Sequence, residues 1–305
     1  MARSYRYLHY DVFTDRLFGG NQLAVVLDGR GLSTNLMQAI AHEMNFSETT
    51  FVLPAEQSGT DFRLRIFTPG SELPMAGHPT IGSAYALART GLLEPGRDCF
   101  VFGLNIGPTP VSLTWTNRDL SFAWMTQQRP VFSDPVASPG DAARAIGVAE
   151  DAVTSTRLPV QVVSCGVPYL FVPLATRRAV DAAISRGEAI DAYSRSVNLD
   201  PSGVLLFSCE PGDDTAAVYS RMFAPGLGIG EDPATGSAAG PLGCYLVRHQ
   251  VVPAAQATDI VDIQGVTMGR PSVIHIAIGV ERGEIASVRV GGEAVLAGEG
   301  TLYIP

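Results

Sequence analysis

Short apolar runs broken by glycine, proline, asparagine and aspartate dominate the chain, and they predict many strands and few helices. Residues 5–13 alternate and predict a strand that ends at Thr14-Asp15. After the turn Phe18-Gly19-Gly20-Asn21, the apolar run 23–27 predicts a second strand. The period then changes: over 32–45, Leu36, Met37, Ile40 and Met44 share one helical face, with Ser33 or Thr34 as cap and Asn45 as stop. Strands are predicted at 46–53, with Glu48 in the middle, and at 62–68. A first central helix is predicted over 79–90, closed by Gly91, and strands around 99–102, 111–115 and 120–125 complete the first half.

The stretch Gln127-Gln128-Arg129-Pro130 through Asp134-Pro135 has the weakest composition for regular structure and predicts a linker. Beyond it, helices are predicted near 140–147 and 177–187, and strands at 160–165, 169–172, 204–208 and 217–223. A second central helix is predicted from Pro233 to about Arg248, followed by strands at 273–279, 285–290 and 300–304. Strands outnumber helices in both halves, and the alternating rhythm of a doubly wound sheet is missing. The expected class is α+β, with a helix packed against or inside a curved sheet in each half.

The two central helices are introduced alike. Arg65-Ile66-Phe67-Thr68-Pro69-Gly70 leads to Gly77-His78-Pro79-Thr80-Ile81-Gly82-Ser83-Ala84, and Arg221-Met222-Phe223-Ala224-Pro225-Gly226 leads to Asp232-Pro233-Ala234-Thr235-Gly236-Ser237-Ala238. His78 and Asp232 lie 154 residues apart in a chain of 305. A period of half the chain means duplication into two like domains, not a solenoid of short units. In this register Asp232 takes the N-cap with Pro233 at the first helical position, and Gly82 and Gly236 each fall in a first turn, where a ligand would approach the backbone. Helix N-termini are ready anion sites. The expectation is that two such ends face one another across an inter-domain cleft and hold a small anionic ligand.

Composition narrows the classes. Hydrophobic residues make up 46% and charged residues 17%, which suits a globular protein with substantial cores. With 32 glycines and 21 prolines, turns and short strands are expected to be frequent. The net charge of −9 and the absence of a basic run argue against a nucleic-acid or anionic-membrane partner. No apolar run approaches the length of a membrane span and the N-terminus does not read as a signal peptide, so a cytoplasmic protein is expected. Cys99, Cys165, Cys209 and Cys244 show no framework spacing, and buried reduced thiols are the expected reading.

Few residues invite chemistry. Glu48 is an acid flanked by apolar residues, so partial burial favouring its neutral form is expected, although a glutamate in a strand is commonly a solvated one. Histidine is a poor N-cap, so His78 calls for another role: a donor to substrate, or a proton relay whose pKa the helix N-terminus lowers. Asp232 reads equally as a structural cap. Ser83 and Ser237 are either small residues chosen for packing or hydroxyls that bind a carboxylate, with Ser237 favoured by the small polar turn Thr235-Gly236-Ser237. A dinucleotide fingerprint, a phosphate-binding loop and a nucleophile elbow are missing, and five histidines without paired spacing give no metal site.

These residues carry a resemblance. Asp11-Val12-Phe13-Thr14, Gly20-Asn21-Gln22-Leu23-Ala24-Val25-Val26, Asn45-Phe46-Ser47-Glu48-Thr49, Gly77-His78-Pro79-Thr80-Ile81-Gly82 and Glu231 through Ala238 follow in order. Gln264-Gly265 and Met268-Gly269-Arg270-Pro271-Ser272 complete the set. Together they resemble the PhzF-like family of phenazine biosynthesis, within the diaminopimelate epimerase-like superfamily. Gln22 stands where that family more often has proline. The resemblance implies two pseudo-symmetric domains, each a curved β-sheet wrapped around a central α-helix, with boundaries 1–128 (completed by a last strand at about 298–305) and 129–297.

It also implies cofactor-free isomerase chemistry on a small anionic, cyclic carboxylate and a homodimer. Glu48 would be the general acid/base, and His78, Asp232 and Ser237 would bind the substrate or relay its proton. Asn21, Gly77, Gly82, Ser83, Thr235 and Gly236 would line the substrate site. Sister epimerases use paired cysteines at the starts of the two helices; alanine stands there in Met75-Ala76-Gly77-His78, and no cysteine lies near Asp232. A one-base isomerase of another small carboxylate, or a binding protein that kept the fold without turnover, are the alternatives.

Overall fold

The computed structural model describes residues 3–199 and 203–304; Met1, Ala2 and Pro305, at the outer ends of the expected first domain, lie outside them. The chain divides into two units, Met1–Thr126 with Gly291–Pro305, and Gln127–Val290. No helix among the described residues is long and apolar enough to cross a membrane.

The first unit contains β1 (Arg3–Val12), β2 (Asn21–Val26), α1 (Thr34–Met44), β3 (Glu48–Pro54), β4 (Phe62–Phe67), β5 (Glu72–Leu73) and α2 (Gly77–Arg89). Next come β6 (Cys99–Leu104), β7 (Gly107–Thr116) and β8 (Asp119–Gln127). Chain reversals make β1/β2, β3/β4, β6/β7 and β7/β8 antiparallel, whereas α1 and α2 carry the chain across so that β2/β3 and β4/β6 are parallel. Ser33 caps α1 by accepting from the Leu36 N–H, and Asn45 ends it in the left-handed conformation. α1 presents Met37, Ile40 and Ala41 to Tyr5, Val26, Phe51 and Phe67.

α2 packs on β1, β2 and β3. Its first eleven residues, Gly77 through Leu87, are all buried, as befits a helix enclosed on every side. It starts at Gly77, ahead of the expected Pro79, and Gly82 is its sixth residue, past the first turn. A Cβ at Gly82 would lie 2.6 Å from Leu23 Cδ2 and 2.7 Å from Val12 Cγ2, so the missing side chain lets the sheet close on the helix.

The second unit opens with β9 (Val131–Phe132), α3 (Pro139–Ala145), α4 (Glu150–Thr154), β10 (Gln161–Ser164) and β11 (Pro168–Pro173). Two short helices, α5 (Arg177–Ala182) and α6 (Gly187–Ser196), replace the single one expected at 177–187. β12 (Val204–Ser208), β13 (Val218–Ala224), β14 (Ile229–Asp232), α7 (Gly236–Arg248), β15 (Ile260–Gln264), β16 (Ser272–Glu281) and β17 (Glu284–Gly292) follow. The pairings β10/β11, β12/β13 and β15/β16 are antiparallel, and β11/β12 and β13/β15 parallel, the order seen from β1 to β7. α7 packs against β10, β11 and β16, and its fully buried Tyr245 meets the Phe207 ring edge-on and donates to the Pro159 carbonyl at 2.6 Å. Burial of an aromatic residue of this size contributes about 1.5–3 kcal/mol.

The last strand, β18 (Ala294–Ile304), returns to the first unit and pairs with all of β1, from Val12 opposite Ala294 to Arg3 opposite Ile304. Cysteine placement departs from expectation. Cys165 and Cys244 are buried with their Sγ atoms 3.9 Å apart, but Cys209 is half-buried, and Cys99, the first residue of β6, is exposed.

Candidate active site

In the first unit, three element starts carry the site. Asn21 opens β2, Glu48 opens β3 and His78 is the second residue of α2. Glu48 thus sits at the first position of its strand and not in the middle, opposite Leu23 of the parallel β2. The three residues are buried, at 0%, 7% and 2% exposure. His78 Nε2 lies 3.0 Å from Glu48 Oε2, off the line of an ideal hydrogen bond. On the other side of the ring, Nδ1 lies 3.1 Å from the Asn21 side-chain amide.

Burial pushes the His78 pKa down to about 3, with a backbone hydrogen bond to Gln22 opposing it. The imidazole is therefore neutral near pH 7, and its contact with Glu48 is not an ion pair. The downward direction agrees with the sequence expectation, but its cause is desolvation more than the helix terminus. Gly77 is the first residue of α2, and the N-cap Ala76 offers no side-chain cap. Ser83 lies deeper in the helix, and its hydroxyl is 3.0 Å from that of Thr50 on β3, a contact inside the core of the unit.

The second unit departs further from expectation. Asp232 is the last residue of β14, not the cap of α7, and Pro233 is not helical. The N-cap is Thr235 and the helix begins at Gly236. Thr235 Oγ1 donates to Asp232 Oδ2 at 2.5 Å, so the carboxylate is engaged by a side chain of the N-cap residue. Ser237, the second residue of α7, has its hydroxyl 2.7 Å from the Tyr169 hydroxyl on β11. The Gly236 carbonyl accepts from Gln127 Nε2 at 2.8 Å.

These starts correct the register of the repeat. β5 ends at Leu73 and α2 starts at Gly77; β14 ends at Asp232 and α7 starts at Gly236, an offset of 159 in place of 154. Gly77 then matches Gly236, Ala76 matches Thr235, and His78 matches Ser237, while Asp232 matches Leu73. Upstream, Arg65 and Arg221 correspond at an offset of 156, so the second copy is three residues longer between the arginine and the helix. Arg65 makes paired bonds of 2.8 and 2.6 Å to Glu72, and Arg221 paired bonds of 2.8 Å to Glu231. Each guanidinium also stacks over the phenylalanine two residues on, Phe67 or Phe223.

Tyr169 was not singled out by the sequence, since a tyrosine in a predicted strand carries no chemical signal. Gln264 belonged to the family pattern without a role; its polar side chain before Gly265 was the available clue.

Comparison with known proteins fixes the family. The family model for phenazine biosynthesis-like protein (PhzC-PhzF) matches residues 10–300. An uncharacterized isomerase of Mesorhizobium japonicum is 38% identical over 98% of each chain. Trans-2,3-dihydro-3-hydroxyanthranilate isomerase of Pseudomonas aeruginosa is 34% identical over 98% of this chain and 100% of its own. Among solved structures, the PhzF-family phenazine biosynthesis protein of Bacillus anthracis superposes with a TM-score of 0.84 at 27% identity, covering 99% of this chain and 100% of the other. The chain therefore belongs to the phenazine biosynthesis-like protein family and is an isomerase of its PhzF branch.

Proposed function

We propose that the protein moves a proton on a small cyclic carboxylate, without a cofactor, by general acid/base catalysis centred on Glu48. The observation that carries this reading is the buried contact of Glu48 with a neutral His78 whose ring Asn21 meets from the other side. Glu48 as carboxylate removes a proton from one substrate carbon while the double bond shifts; as the acid, once its proton has exchanged with solvent, it delivers a proton to another carbon, so the formula of the substrate is unchanged. Neutral His78 has one N–H to offer, suited to stabilising the charge on Glu48 or on the substrate without competing as a base. Asp232 and Ser237 bind and orient the substrate, with backbone contacts from Gly77 and Gly236 at the helix starts, where unpaired N–H groups favour an anion. Ala76 and Thr235, the residues at the two N-caps, carry no thiol, which argues against a two-thiol racemase.

Trans-2,3-dihydro-3-hydroxyanthranilate, the substrate in the name of the Pseudomonas relative, is the first compound to try. In D2O the product is expected to gain one deuterium at carbon. Glu48→Gln is expected to lower that rate by about 10²–10⁴-fold, the usual range for a general acid/base. Full activity in Glu48→Gln would remove the mechanism, and binding without label would leave a binding protein. The same reading has the protein working in the cytoplasm as a homodimer, which sedimentation equilibrium would check.

A further inference from the structure

A four-residue segment, Asp232 to Thr235, precedes α7 without being helical, and one side chain holds it. Gln264, fully buried at the end of β15, accepts from the Thr235 backbone N–H at 2.9 Å through Oε1. Its Nε2 donates to the Asp232 carbonyl at 2.7 Å and to Thr235 Oγ1 at 3.1 Å. Both amide protons and the amide oxygen are thereby used. Because Thr235 Oγ1 receives a proton from Gln264, its own proton goes to Asp232 Oδ2, at 2.5 Å.

The neighbours press the segment into the same place. Gly265 has φ +76°, and a Cβ there would lie 2.5 Å from the Pro233 carbonyl oxygen and 2.4 Å from that of Arg270. Buried Ser272 has its Oγ 2.9 Å from the same two carbonyls and donates to one at a time.

We propose that Gln264 is a positioning residue for the second unit's part of the site: through Thr235 it fixes one orientation of the Asp232 carboxylate and keeps it a hydrogen-bond acceptor. The chain of donors runs one way, from Gln264 to Thr235 to Asp232, so Asp232 meets substrate with its carboxyl group held still. This rests on the assignment of Asp232 to substrate binding, but its structural part can be tested without a substrate.

The test uses the full chain and two variants, Gln264→Met and Thr235→Val. In Gln264→Met, the Thr235 amide is expected to exchange with solvent at least about tenfold faster, while amides in the middle of α7 keep their protection. In both variants the Asp232 carboxyl, followed by carbon-13 NMR, is expected to titrate at higher pH than in the unaltered protein, because the ionised form loses a donor. With trans-2,3-dihydro-3-hydroxyanthranilate as probe, kcat is expected to fall with little change in KM, and the acidic limb of the pH profile to move upward with the Asp232 titration.

Unchanged Thr235 exchange and unchanged Asp232 titration in folded Gln264→Met would overturn the proposal. If that variant does not fold, an unchanged Asp232 titration in Thr235→Val would do the same. Should the unaltered protein fail to convert the probe while exchange and titration shift as expected, positioning stands and the substrate reading fails.

Discussion

Two buried side chains make opposite demands on pH. His78 is held neutral with its pKa near 3, so in the unfolded chain it takes up a proton at about 6.5 that the folded protein refuses. Its contribution is complete above pH 6.5 and is lost as the pH falls towards 3. Asp262, fully buried on β15, is raised by burial to about 7 despite the bond it accepts from Ser220 at 2.9 Å. The folded protein keeps that proton where the unfolded chain has released it, so stability falls as the pH rises from 3.8 to 7. Between about pH 4 and 6.5 the two slopes, each up to about 1.4 kcal/mol per pH unit, cancel. Urea unfolding over that range is expected to uncover them one at a time. Relative to the unaltered protein, His78→Gln gains stability on acidification and Asp262→Asn loses it. Parallel curves for all three proteins would contradict both assignments.

Among the elements, the repeated arginine gives the clearest contrast. Arg65 and Glu72 are the more exposed pair, with side-chain exposures of 18% and 22%. Arg221 and Glu231 are at 9% and 17%, and Arg221 also donates to the carbonyls of Val180, Asp181 and Ala183. Removing one member of a buried pair costs about 3–5 kcal/mol, whereas an exposed pair contributes at most about 1 kcal/mol. Arg221→Met is thus expected to lower unfolding free energy in urea by more than Arg65→Met; equal losses would mean that the three carbonyls add nothing. The same scale shows what the sequence could convey. α1 was legible because its apolar face, Ser33 cap and Asn45 stop agree. β15 was not, because its alternation is inverted: Asp262 and Gln264 face inward and Val261 and Ile263 are only partly buried. A strand that buries polar side chains to hold a neighbouring loop defeats a reading that equates buried with apolar. The start of α7 misled for a related reason, since Asp232-Pro233 has the chemistry of a cap while Gln264 holds it outside the helix.

Across the molecule, the duplication was visible in the recurring Arg-x-Phe-x-Pro-Gly, and Glu48, Asn21 and His78 were all named from the sequence. The distances between them required the parallel pairing of β2 with β3, which no local pattern specifies. The return of the C-terminal strand to β1 has its own consequence. Removing residues 294–304 would strip β1 of the partner on one side along its whole length and leave an unpaired strand edge. Loss of soluble protein is expected, read as soluble yield and near-ultraviolet circular dichroism; a folded, soluble truncation would show that β1 needs no cover.

The corrected register also says where the two copies parted company. The strand order, the arginine–glutamate clasp and the glycine that opens each central helix are held in common. Leucine against aspartate at 73 and 232, alanine against threonine at 76 and 235, and histidine against serine at 78 and 237 are not. Two identical half-length chains would carry the same helix start twice and could change it only in both copies at once. Joined in one chain, the two starts can change independently, and residues 73/232, 76/235 and 78/237 are where they have.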